Sequence, residues 1–119
     1  MKAKKRTTNQ ASFFFDFEDT LDQNHPLYIL SHKVNWDLFE ESFSSKYSKN
    51  MGRPAKPIRL MVGLLILKHI RNISDESVVE QWSENIYYQY FCGEKSFVVG
   101  APCEASELVH FRKRIGEDG

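Results

Sequence analysis

Two cysteines and a histidine in the last third of the chain are the residue types from which a zinc site could be built. Cys92, Cys103 and His110 follow a C-x10-C-x6-H spacing, which lacks the close ligand pair of a C-x2-C motif. Cysteines spaced in this way are ordinarily core or surface residues. The sequence therefore predicts neither a metal site nor a cofactor.

Motifs that mark nucleotide-binding or hydrolytic enzymes are missing from the sequence. It contains no G-x-x-x-x-G-K-[ST], no G-x-G-x-x-G, no H-E-x-x-H and no G-x-S-x-G. His69 lies in an apolar helical stretch beside Ile58, Val62 and Leu65, which favours a packed, hydrogen-bonded histidine over a general base. We therefore expect no small-molecule substrate.

Charged residues are segregated along a chain whose net charge is zero. The 16 basic and 16 acidic residues balance, but residues 46–71 include seven basic residues and no acidic one. A second basic cluster, Arg112, Lys113 and Arg114, lies near the end of the chain. Local patches decide whether a protein binds phosphates, and net charge does not. From spacing alone, these clusters are either solvated faces or a phosphate-binding surface.

The elements that must position these residues are helices. We expect residues 1–24 to form a polar, partly disordered arm and residues 25–119 to form one compact multi-helix domain. Pro26 suits the first position of a short helix that ends near His32. Asn35 can cap a second helix, whose aromatic residues recur at helical spacing and should face the core: Trp36, Phe39, Phe43 and Tyr47. Residues 97–99 are the only strand candidate, so the predicted fold is all-α, with a helix-turn-helix-like arrangement as one option.

The third helix should be the central one. It begins after Pro57, and apolar residues point to every side from Ile58 to Ile70. Gly63 in its middle costs about 1 kcal/mol relative to alanine, which indicates the close approach of a neighbouring helix. Asn72 can end this helix, and Ser74 can cap the next one. That next helix should expose an acidic ridge: Glu76, Glu80 and Glu84.

The last helix should present a cationic surface. It begins near Ser106, and three apolar residues at spacings of three and four give it a buried face: Leu108, Phe111 and Ile115. On the helical wheel the basic residues fall opposite this face, or at its edge in the case of Arg112: His110, Lys113 and Arg114. A helix docked by its apolar side would thus offer cations to phosphates.

Nothing in the sequence suggests a membrane or an export route. The longest apolar run, Leu60 to Leu67, has eight residues, well short of the roughly 20 that cross a bilayer. The basic start is followed by Thr7, Thr8 and other polar residues, which is unlike a secretory signal. Two cysteines do not make a disulfide framework. We expect a cytoplasmic protein.

Several segments together resemble a known family. They are GRPAKPIRLMVGLL at residues 52–65, LKH at 67–69, ISDE at 73–76, YFCGE at 90–94 and FRKRIG at 111–116. His25-Pro26-Leu27 and Trp36-x-x-Phe39-Glu40 fit the same pattern. This set is similar to the N-terminal domain of DDE-type bacterial insertion-sequence transposases and covers about residues 10–116. Two departures are Ile86, where the family pattern has proline after asparagine, and Cys103-Glu104-Ala105-Ser106, where it more often has Asp-Pro-Ser.

The resemblance implies a helical module that binds DNA ahead of an RNase H-like domain with three metal-binding carboxylates. It ends where that catalytic domain would begin, so we expect a chain that binds double-stranded DNA at transposon ends and is not itself an enzyme. The residues that would contact DNA come from the basic loop and the last helix: Arg53, Lys56, Arg59, His110, Arg112, Lys113 and Arg114.

Two other readings remain open at this point. One is a helical interaction module that pairs with a full-length transposase or with itself through its aromatic clusters. The other is a remnant without function.

Overall fold

The computed structural model describes residues 16–48 and 56–115, with the backbone alone at residues 45–48. These residues form seven helices: α1 (Phe17–Thr20), α2 (Pro26–Lys33), α3 (Trp36–Ser48), α4 (Ile58–Arg71), α5 (Asp75–Glu84), α6 (Ile86–Phe91) and α7 (Ala105–Ile115). The described ranges contain no strand, and residues 97–99 belong to an irregular segment between α6 and α7. The predicted all-α fold is confirmed.

Helix α4 is the centre of the fold, as its all-round apolar sequence predicts. It contacts α3, α5, α6 and α7, and its residues Leu64 and Leu67 are completely buried. Gly63 lies against the end of α6, where a Cβ placed on it would come within 2.6 Å of the Cys92 Sγ. A side chain at this position would force the two helices apart, which accounts for a glycine in the middle of a helix.

Capping residues set the helix ends in the middle of the chain. Asn72 ends α4 in the left-handed conformation, with φ 57° and ψ 53°, and the Ser74 Oγ accepts a hydrogen bond from the backbone N–H three residues on. Asn85 separates α5 from α6, because its Oδ1 accepts from two backbone N–H groups of α6. This cap starts α6 without a proline, so the helix break is complete although Ile86 follows.

The aromatic stripe of α3 faces the core. Trp36, Phe39 and Phe43 are partly buried and pack on the central cluster. The indole N–H of Trp36 donates to the Ser31 carbonyl at 2.9 Å, which joins the start of α3 to α2. Tyr47, the predicted fourth member of the stripe, lies where only the backbone is described.

The later part of the predicted arm packs on the domain. We expected no helix before residue 25, yet α1 follows Asp16. Phe17 is completely buried and Leu21 is 6% exposed, and both pack with Tyr28 of α2 and Tyr90 of α6. The expected disorder at the start of the arm falls on residues outside the described ranges.

Candidate nucleic-acid interface

Helix α7 is held by one face and carries basic residues on the other. The apolar residues of the held face are at most 5% exposed: Leu108, Phe111 and Ile115. They pack the helix onto α3, α4 and α5. The basic residues that the helical period places opposite are exposed: His110, Lys113 and Arg114. Packing of the buried face therefore fixes the direction in which these three side chains leave the surface.

Arg112 sits at the edge of this surface and ties α7 to α5. Its Nη1 lies 3.1 Å from the Asp75 Oδ1 and its Nη2 lies 3.3 Å from Oδ2, which is a bidentate pair. The side chains of Arg112 and Asp75 are 32% and 14% exposed. A bidentate pair of this kind holds the guanidinium and the carboxylate in one relative orientation. Arg112 thus orients α7 and neutralises a carboxylate beside the cationic face.

Arg59 lies in the first turn of α4, and its side chain contacts α3 and α6. Its Nε and Nη2 both donate to the Phe91 carbonyl at 3.3 Å, a carbonyl in the last turn of α6 that has no partner within its own helix. Its Cζ lies 4.4 Å from the centre of the Trp36 ring. Burial lowers the pKa of the guanidinium below its ordinary value. Arg59 therefore joins three helices, and its contact with DNA stays a prediction.

Lys56 precedes α4 and lies near the start of α7. Burial and then Glu107 raise the pKa of the Cys103 thiol to about 11, and the charge of Lys56 partly offsets them. Cys103 comes two residues before α7. Arg53, the remaining predicted contact, lies outside the described residues.

The sequence of the chain matches a known protein family. A family model described as "Transposase domain (DUF772)" matches residues 15–114. The chain belongs to this family of transposase domains. The match runs from just before α1 into the last turn of α7 and confirms the resemblance to a transposase.

One curated relative aligns with the whole transposase domain. It is "Uncharacterized protein ORF8 in nfe locus" from Rhizobium meliloti, which is 41% identical over 120 residues. The alignment covers 100% of this chain but 58% of the relative, so the chain spans less than two thirds of that protein's length. No solved structure matches the chain.

Helices α4 and α5 have the spacing of a helix-turn-helix within the transposase domain. Three residues, 72–74, join them, which is a usual length for that motif. In a helix-turn-helix the second helix enters the major groove. Here α5 instead exposes an acidic ridge of Glu76, Glu80 and Glu84. Because carboxylates repel phosphates, α7 suits a DNA surface better than α5.

The predicted set of site residues did not include two basic residues at the end of α4. Lys68 and His69 line a groove together with Arg112 of α7. Our interpretation of His69 as a packed residue is wrong, because its side chain is exposed. The basic residues in the last turn of α4 could have indicated this site. A helical wheel does not show which side of α4 stays exposed, because apolar residues point to every side of this helix.

Other kinds of site find no support in the part of the chain that the structure describes. There, no group of three or more His, Cys, Asp or Glu residues could hold a metal ion. Cys92 and Cys103 are free thiols, and both are buried. None of the described helices is long and apolar enough to cross a membrane.

Proposed function

We propose that this transposase domain binds double-stranded DNA at transposon ends through the outward face of α7, without carrying the catalytic carboxylates itself. The observation that supports the proposal is the fixed orientation of α7, whose apolar side is buried while three basic residues face outward. His110, Lys113 and Arg114 can approach phosphates without any rearrangement of the fold. Membership in a transposase family favours DNA over other polyanions.

The neighbouring charges define the path that DNA would follow. Arg112 already neutralises Asp75 at the start of α5, and the acidic ridge continues along that helix. We therefore infer that the duplex runs along α7 and away from α5. Lys56, whose charge acts on Cys103 just before α7, stays a candidate for a further phosphate contact.

A salt titration of DNA binding tests this proposal. Each phosphate contact adds about 0.9 to the slope of log affinity against log salt. Lys113→Ala combined with Arg114→Ala should therefore flatten the slope by up to about two units and weaken binding to all sequences, since phosphate contacts carry little sequence information. The measurement is fluorescence anisotropy on a duplex that carries the transposon end.

The matched control removes two exposed charges elsewhere. Lys33 ends α2 and Lys95 follows α6, and both are exposed, so Lys33→Ala with Lys95→Ala changes the net charge equally. This control should keep the slope of the unmodified chain. Equal slopes for the unmodified chain and for the Lys113/Arg114 variant would remove α7 from the DNA interface.

A further inference from the structure

A groove of about 400 Å³ opens between α3, α4 and α7. Its apolar lining comes from all three helices and includes Phe39, Phe43, Leu65, Ile66, Ile70 and Ile115. Ile70 is 48% exposed at its edge. A contiguous apolar surface of this kind is typical of an interaction site.

The polar residues at this groove are all basic. Lys68, His69 and Arg112 line it, and no carboxylate does so among the described residues. Because Arg112 is already paired with Asp75, an occupant that fits would fill the apolar lining with an apolar side chain and offer carboxylates to Lys68 and His69. A phosphate backbone would meet the basic groups but would leave the apolar floor unfilled.

Helix α3 of the same chain presents that combination on its outer side. Leu38 is 54% exposed, and Asp37 and Glu41 beside it are exposed as well. Residues three and four apart share one side of a helix, so Leu38 and the two carboxylates form one patch. We call Asp37, Leu38 and Glu41 the α3 patch.

We propose that the groove receives the α3 patch of a second copy of this chain. Helix α3 carries the patch and, through Phe39 and Phe43, also lines the groove. A two-fold axis that brings each patch onto the partner's groove would give a closed, isologous dimer. The apolar contact supplies affinity, while the complementary charges fix the register.

Sedimentation equilibrium of the unmodified chain and of Leu38→Glu tests the contact. The unmodified chain should dimerise reversibly at high as well as low salt. Leu38→Glu should raise the dimer dissociation constant by about tenfold or more, because each half of the dimer loses a buried leucine. Ile29→Glu is the matched control, since Ile29 is 42% exposed on α2 and lies outside the groove. Circular dichroism of each variant verifies that the helices are retained.

A charge exchange tests the partner and the register. The first variant is Asp37→Lys with Glu41→Lys, and the second is Lys68→Glu with His69→Glu. Each should dimerise weakly alone, because like charges then face each other in both halves of the dimer. Mixed together they should form a heterodimer, since both halves regain opposite charges.

Two outcomes would overturn the proposal. A chain that stays monomeric at the highest soluble concentration would mean that the groove is filled by another part of this chain or by a different protein. A dimer that forms equally well with Leu38→Glu, or charge variants that do not recover on mixing, would place the dimer contact elsewhere. The readout is independent of DNA binding, so it succeeds or fails separately from the function proposed above.

Discussion

Glu18 is held by two tyrosine hydroxyls that come from different helices. The Tyr28 hydroxyl donates to Oε1 at 2.9 Å and the Tyr90 hydroxyl donates to Oε2 at 2.6 Å. The two rings are stacked, with centroids 4.9 Å apart. His32 Nε2 lies 2.8 Å from the Tyr90 hydroxyl, and it must be the donor because the tyrosine proton points to Glu18. One carboxylate thus fastens α1 to α2 and α6.

This carboxylate should make stability depend on pH. The hydrogen bonds from Tyr90 and then Tyr28 lower the pKa of Glu18 below 4.5. A carboxyl whose pKa is depressed by folding contributes stability that is complete above the unfolded value and is lost as the pH falls through the folded one. Glu18→Gln should therefore reduce the free energy of unfolding at neutral pH, and the difference from the unmodified chain should shrink below pH 4.5. Urea unfolding of both chains from neutral pH to below pH 4.5 measures this difference in the free energy of unfolding.

Asp19→Asn serves as the control for the loss of one negative charge, because Asp19 is the exposed neighbour of Glu18. If the loss in the free energy of unfolding caused by Glu18→Gln stayed constant down to acid pH, the carboxylate charge would not be what holds α1.

Residue types predict which groups are charged but not which partner each one meets. The predicted contact of Arg59 with phosphates is untested, and the sequence did not show that its guanidinium caps a carbonyl 32 residues away. Arg112 was correctly placed at the edge of the apolar face of α7, but its partner Asp75 lies 37 residues away. Contacts of this range come from packing between helices. Helical spacing therefore predicted the side of α7 on which Arg112 lies, but it could not predict the salt bridge of Arg112 with Asp75.

Among the helices, α4 is the main packing element of the fold because four helices contact it. Leu64 is completely buried in its middle. Leu64→Ala should lower the free energy of unfolding by about 2 to 5 kcal/mol, the range for a large-to-small change in a packed core. Chemical denaturation measures the loss.

Ile70 on the same helix provides the comparison, since it is 48% exposed. Ile70→Ala should cost clearly less than Leu64→Ala. Nearly equal losses for the two variants would mean that α4 is not buried more deeply at its centre than at its end.

The sequence predicted the long helices well because their signals are local. The Ser74 cap, the all-round apolarity of α4 and the apolar stripe of α7 all reappear in the structure. Helix α1 was missed because four residues are too short to show a helical period. Phe17 is buried through contacts with α2 and α6, which no local pattern reports. The openness of the groove was missed for the same reason.

For the whole molecule, a net charge of zero conceals separate acidic and basic surfaces. The acidic ridge of α5 and the cationic face of α7 are joined by the pair of Arg112 with Asp75. The first proposal uses this separation to direct phosphates to α7, whereas the second pairs the acidic residues of the α3 patch with the basic residues of the groove. Taken together, the two proposals predict a dimer that presents two α7 helices to two stretches of DNA.

Binding without cleavage is the expectation for this chain. Two-metal cleavage of DNA needs a fixed set of carboxylates, and we could assign none of the acidic residues to such a set. A supercoiled plasmid that carries transposon ends should remain intact in the presence of magnesium or manganese, as judged by gel electrophoresis. The control is the same plasmid with metal and no protein. Nicked or joined products that depend on both the chain and the metal would contradict this expectation.

The rates at which the two buried thiols are alkylated can report how the molecule opens. Burial raises the pKa of both Cys92 and Cys103, and alkylating reagents attack the thiolate form. Cys92 is pressed between α4 and the end of α6, whereas Cys103 lies in the segment that precedes α7. Alkylation of Cys103 should therefore report the local release of that segment, while alkylation of Cys92 should wait for separation of the central helices. The ratio of the two rates would show whether α7 detaches from the domain before the core unfolds.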